Sequence, residues 1–196
     1  MIRAEATALI LLAAGRSIRF GERDKLVEPF LHKPLAFHVV TALEAVPFRT
    51  RIAVCSGTAL DLEPRGYRVV MNDAPEQGQS RSVRLGVAVA REDPSVEAVL
   101  VALADMPRVT AAQVYRLLDQ ATGEEAVLAS SDGIRARPPA LFGRALFDRL
   151  AALEGDAGAR ELIMAGAHVV TSAAELVDID TPEDLDALRR TYGVAR

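Results

Sequence analysis

The chain has 196 residues, 50% of them apolar and 26% charged, the balance of one soluble globular domain with a substantial core. A formal net charge of −4 argues against an electrostatic nucleic-acid binder, and a local basic loop in an acidic chain fits a small anionic substrate better. No apolar stretch approaches the roughly 20 residues that span a bilayer, and the N-terminus lacks the order of a signal peptide, so the expectation is a cytoplasmic protein without membrane attachment.

Thr7 to Leu12 reads as a first strand whose unbroken apolar character predicts burial on both faces, as in a parallel sheet. It runs into a loop from Ala13 to Lys25 that carries small residues, Gly15, Gly21, Arg16, Arg19 and Lys25. That is the profile of a strand ending in a phosphate cradle: backbone N–H groups point at phosphate oxygens, and the bases neutralise their charge. The spacing fits neither Gly-x-x-x-x-Gly-Lys-Ser/Thr nor Gly-x-Gly-x-x-Gly, which counts against a P-loop ATPase and a dinucleotide oxidoreductase. A surface loop with ordinary basic residues is the competing reading.

Leu35 to Leu43 has helical spacing with Pro34 near its start, and Arg51 to Cys55 and Tyr67 to Met71 read as short strands. Cys55 is the single cysteine, so no disulfide forms within the chain; its strand context marks a small buried residue rather than a catalytic thiol. His32, His38 and His168 show no metal-ligand spacing.

A polar loop, Asn72 to Ser82, leads into a helix from Val83 to Ala90, with Ser80 or Ser82 available either as a cap or, with neighbouring amides, to a nucleotide. Ala98 to Leu103 is the clearest buried strand and ends at Ala104-Asp105-Met106-Pro107. An acid just past the carboxyl end of a central parallel strand stands where open α/β sheets bind ligands. Beside phosphates, Asp105 makes chemical sense with a hard cation between them, and magnesium takes one or two carboxylates plus phosphate oxygens.

Further on, Thr110 to Ala121 reads as helix, Ala126 to Ser130 as strand, Arg135 to Phe142 as extended, and Gly143 to Leu153 as helix. Ala159 to Met164 continues as helix after a glycine-containing interruption, with short strands over His168 to Thr171 and Glu175 to Ile179. Thr181-Pro182-Glu183-Asp184 opens a final helix, and simple helix-start polarity is the plain reading of Asp178 and Asp180.

Leu12-Ala13-Ala14-Gly15 with Arg19-Phe20-Gly21 and Lys25, Leu103-Ala104-Asp105-Met106-Pro107, Pro139-Ala140-Leu141-Phe142, Gly155-Asp156-Ala157-Gly158-Ala159-Arg160 and Asp178 to Leu185 occur in that order. Together they resemble the MobA-like nucleotidyltransferases, and among them the molybdenum cofactor cytidylyltransferases. The resemblance covers nearly the whole chain and implies one MobA-like NTP transferase domain over residues 1–196. The implied fold is α/β, three-layer and Rossmann-like, with a mostly parallel central sheet and helices on both faces.

The implied reaction is transfer of CMP from CTP to the terminal phosphate of molybdopterin, with release of pyrophosphate. By family likeness the nucleotide site comprises Leu12, Ala13, Ala14, Gly15, Arg19, Lys25, Gln77, Gly78, Ser80, Ser82 and Asp105. Lys25, Arg19 and Asp105 are the implied catalytic residues, and Asp105 with Asp180 the implied ligands of Mg2+ or Mn2+. The acceptor side would be Arg137, Pro139, Asp156, Gly158 and Arg160.

Ala14 in place of a second glycine resembles the cytidylyl rather than the guanylyl branch. His32 stands where relatives often carry glycine, and Arg137-Pro138 where many carry a Gly-His pair. Implied partners are the two small substrates and a transient complex of a monomer with a molybdenum hydroxylase or its chaperone. Alternatives are a guanylyl- or other nucleotidyltransferase with a different phosphorylated acceptor, and a carrier or chaperone of the finished cofactor.

Overall fold

The computed structural model describes all residues except Arg16, Glu22 and 194–196, so those two residues of the basic loop lie outside the described structure. Seven strands form one sheet: β1 (Thr7–Ala13), β4 (Thr50–Cys55), β5 (Arg68–Met71), β6 (Ala98–Leu103), β7 (Val127–Ser131), β8 (Ala136–Gly143) and β9 (Ala167–Val170). Their order is β5-β4-β1-β6-β8-β7-β9, parallel throughout except that β8 runs against both its neighbours. A two-stranded hairpin, β2 (Pro29–Phe30) with β3 (Lys33–Pro34), stands apart from it.

Alternation along β1 explains the layers. Leu9, Leu11 and Ala13 join one cluster, which also takes in Val39, Val40 and Leu43 of α1 (Phe37–Leu43) and Val114, Leu117 and Leu118 of α3 (Ala111–Gln120). Ala8, Ile10 and Leu12 join the opposite cluster with Val83, Val87 and Ala90 of α2 (Gln79–Ala90). Phe147 and Leu150 of α4 (Phe147–Ala151) and Leu162 and Ile163 of α5 (Arg160–Ala165) complete that face. A strand covered on both sides must be apolar at every position, the pattern that marks Thr7 to Leu12 and Ala98 to Leu103.

A third cluster carries the functional geometry. Phe20 from the basic loop and Phe30 from the hairpin pack with Leu35, Ile179, Leu185 and Leu188, the last two from α6 (Pro182–Thr191). Burying a phenylalanine contributes about 2–3 kcal/mol, enough to hold the two ends of the chain against each other.

Some expected elements differ. Pro34 lies in the hairpin rather than at a helix start, and the helix after it begins at Phe37. Helix α2 begins at Gln79, so Ser80 and Ser82 lie inside it, and its N-cap is Gly78 without a side-chain hydrogen bond. Between Gly143 and Leu153 there is only a 3₁₀ turn and five residues of helix. Glu175 to Ile179 is not a strand; a 3₁₀ turn spans Ala173–Leu176. Thr110 caps α3 as expected, and Thr181 with Asp184 forms a capping box on α6. Among the described residues no helix is long and apolar enough to cross a membrane.

Candidate active site

Strand β1 has β4 on one side and β6 on the other: the chain steps outward from β1 through β4 to β5, then crosses back to place β6 on the opposite side of β1. In an open α/β sheet such a reversal opens a crevice beyond the carboxyl ends of the strands. Both the basic loop after Ala13 and Asp105 after Leu103 emerge there. The Ala104 N–H donates to Leu12 O at 3.0 Å, which keeps the two exits side by side. The Ile179 N–H donates to Asp105 O at 3.0 Å, bringing the segment before α6 alongside.

Lys25 enters from a 3₁₀ turn capped by Asp24, whose carboxylate accepts from Leu26 N at 3.0 Å and from Thr58 Oγ1 at 2.5 Å. Its ammonium uses all three donors: Asp105 Oδ2 at 2.6 Å, Ile179 O at 2.8 Å and Asp180 Oδ1 at 3.3 Å. Arg19 completes the chain of charges, with Nη1 3.3 Å from Asp180 Oδ2. The side chain of Lys25 is 8% exposed and that of Arg19 is 65% exposed, so only the arginine is open to an incoming anion. Lys25, expected at the triphosphate, faces carboxylates instead.

Burial works against the Lys25 ammonium, but attraction and hydrogen bonds from Asp105, then Asp180, outweigh it and hold its pKa above the ordinary value. Burial pushes the Asp105 carboxyl up; Lys25 opposes that, and the charges of Asp180 and Asp178 add to it. Asp105 Oδ1 is buried and has no hydrogen-bond partner. A buried carboxylate oxygen without a donor, next to further acids, is chemically matched to a hard cation.

Asp178 and Asp180 are not the helix cap: Asp184 accepts from Asp180 N at 3.1 Å and Thr181 N at 2.8 Å, which leaves the two earlier acids to the crevice. Among the described residues no group of three or more His, Cys, Asp or Glu could hold a metal ion. Asp105 and Asp180 both accept from Lys25, and two carboxylates are a donor set of the kind that a hard cation shares with phosphate and water.

Two lobes meet at Asp105. The smaller, about 240 Å³, is lined by Ala14, Gly15, Pro75, Gly78, Gln79 and Ser82, among others. The larger, about 940 Å³, has a floor with Val101, Phe142 and Ile163 and carries Arg19, Arg135, Arg137 and Arg160. Leu12, Gln79, Leu103, Asp105 and Asp156 line both.

Most of the expected residues thus converge, with exceptions. Ala13 is buried in the core beneath the sheet. Gln77 is exposed, with Oε1 3.4 Å from Arg81 Nη1. Ser80 is 1% exposed and bonded elsewhere. Pro139 is buried, its carbonyl accepting from Ser130 Oγ at 2.9 Å, while Pro138 lines the larger lobe. Gly158 is buried against Gln79. Gln79 lies within the Gln77 to Ser82 stretch that the resemblance puts at the nucleotide, whereas the lining residues Arg135 and Asp178 have no site role from sequence. Each of these two sits two positions from an expected residue, so motif proximity is the available signal.

The crevice with its basic loop, carboxylates and two lobes belongs to a nucleotidyltransferase, the class that the family match defines. The chain belongs to the MobA-like NTP transferase domain family, whose model matches residues 9–170. The purine catabolism protein PucB of Bacillus subtilis (strain 168) is 33% identical over 199 residues, 92% of this chain and 95% of PucB. The crystal structure of the Rv0371c homolog from Mycobacterium sp. strain JC1 matches with a TM-score of 0.80 at 27% identity, covering 97% of this chain and 98% of that one. Rv0371c of Mycobacterium tuberculosis H37Rv, in a complex with manganese, matches with a TM-score of 0.74 at 25% identity over 94% and 98% of the two chains.

Proposed function

We propose that this protein is a molybdenum cofactor cytidylyltransferase, a single domain that transfers CMP from CTP to the terminal phosphate of molybdopterin and releases pyrophosphate. The observation that carries the reading is the Lys25–Asp105–Asp180–Arg19 cluster, with its buried unbonded oxygen, at the junction of two lobes. One lobe takes the nucleotide against Ala14, Gly15, Gln79 and Ser82; the other takes the acceptor. Arg135, Arg137 and Arg160 over an apolar floor match an acceptor with a phosphate and a flat ring body.

Asp105 and Asp180 would hold the divalent ion, which when bound supplies positive charge to the phosphate oxygens. The manganese complex of Rv0371c supports metal use of this kind. Arg19 meets the triphosphate from the open side. Lys25 keeps the two carboxylates apart from each other's repulsion and contributes the buried positive charge behind them. A phosphate monoester is already an anion near neutral pH, so the displacement at the α-phosphorus needs no general base. The site's work is to align two anions and to stabilise charge on the departing pyrophosphate.

Pyrophosphate release measured with CTP, magnesium and molybdopterin tests the reading. Release that depends on all three supports it. Release with GTP in preference to CTP moves the assignment to the guanylyl reaction, and cofactor binding without release makes the protein a carrier.

A further inference from the structure

The first turn of α2 is joined to the loop between α4 and α5 at several points. Ser80 donates its N–H to Gly155 O at 3.2 Å and its hydroxyl to Glu154 O at 2.9 Å. At Gly78, with φ at +88°, an added Cβ would stand 2.3 Å from Asp156 Oδ1 and 2.6 Å from Gly155 O. At Gly158 an added Cβ would stand 2.5 Å from Gln79 Oε1. Gly78 therefore lets backbone approach backbone, Gly158 leaves room for the Gln79 side chain, and one buried serine ties the contact.

With both donors committed to this loop and 1% of its surface exposed, Ser80 has neither group left for a nucleotide. The loop it holds carries Asp156, which lines both lobes, and leads into Arg160, which lines the larger one. Resting on the reading of the larger lobe as the acceptor side, we propose that Ser80 is a positioning residue for the acceptor wall rather than part of the nucleotide site. The nucleotide-side helix thereby sets where the acceptor is held.

Ser80→Ala leaves the Glu154 carbonyl without its donor, and loss of one such bond shifts an affinity roughly five- to tenfold. The expected result is that the KM for the acceptor rises by that factor, the KM for CTP is unchanged, and Ser80→Thr, which keeps the hydroxyl, restores the acceptor KM. A rise in the CTP KM with the acceptor KM unchanged overturns the proposal. Amide exchange on the full chain, without substrates, tests the brace itself: faster exchange across residues 153–160 in Ser80→Ala supports it, and unchanged exchange overturns it. Failure of the wild-type protein to turn over CTP and molybdopterin removes the proposed function, while the exchange measurement still decides the brace.

Discussion

Asp105 meets Lys25 with one carboxylate oxygen and leaves the other buried without a partner. Asp105→Asn keeps the shape and removes the charge that a divalent ion needs. Turnover is expected to fall at least roughly a hundredfold, about 3 kcal/mol of lost electrostatic stabilisation, measured as pyrophosphate release. Lys25 keeps Asp180 and Ile179 O, so the circular dichroism spectrum should be that of wild type. Near-normal turnover would remove Asp105 from the reaction. Cys55 makes the opposite case: burial, then the charge of Asp24, pushes its thiol up to about 11 from an ordinary 9.0. Iodoacetamide at pH 8 should label it in denaturant and leave the native protein nearly unlabelled. The folded thiol holds its proton more tightly than the unfolded one, so its contribution to stability declines as pH rises through the window from 9.0 to about 11. Rapid native labelling at pH 8 would show an accessible thiolate instead.

At the level of elements, packing overruled local preference in two places. The β2–β3 hairpin turns through Leu31 at φ 44° and His32 at φ 71°, a region that L side chains enter at a cost of roughly 1–2 kcal/mol each. His32→Gly removes one such cost, while glycine's extra freedom in the unfolded chain returns roughly 0.5–1 kcal/mol of it. His32 is exposed, so little packing is lost, and the net expectation is a gain of roughly 0.5–1 kcal/mol in denaturant unfolding. A lower midpoint would show that the imidazole makes a stabilising contact. Gly86 in α2 is a different glycine: an added Cβ would stand 2.5 Å from Cγ2 of the fully buried Ile10. Alanine gains roughly 1 kcal/mol of helix propensity and loses roughly 1–3 kcal/mol to overpacking. Gly86→Ala should therefore lower stability despite being the better helix former, and a raised midpoint would mean that α2 moves off the sheet without cost. Sequence periodicity located the long, two-face-buried strands to within a residue because their pattern needs no tertiary knowledge. It missed Glu175 to Ile179, where Val177 and Ile179 are apolar because they pack on Phe20 and Phe30, not because they belong to a sheet.

Across the whole molecule, the candidate site exists only where the two ends of the chain meet. Lys25 and Asp180 are 155 positions apart and are held by Phe20, Phe30, Ile179, Leu185 and Leu188. A ligand that bridges these parts stabilises the folded state by about 2.7 kcal/mol at a hundred times its Kd, a Tm rise of roughly 5–10 °C for a domain of this size. Magnesium with CTP should produce that rise in a thermal melt, and magnesium with GTP a smaller one. Equal shifts would remove the base preference, and no shift with either would remove the nucleotide site. What the sequence determined by itself was the order of motifs, the buried parallel strands and the presence of a basic loop and an acid at strand ends, because periodicity and strand-end chemistry are local. Tertiary structure decided the rest: Lys25 bonded to Asp105 and Asp180, Ser80 committed to Glu154 and Gly155, and Asp184 rather than Asp180 completing the capping box. Those outcomes depend on which donors and acceptors are brought within reach across long sequence separations, and no local pattern encodes that distance.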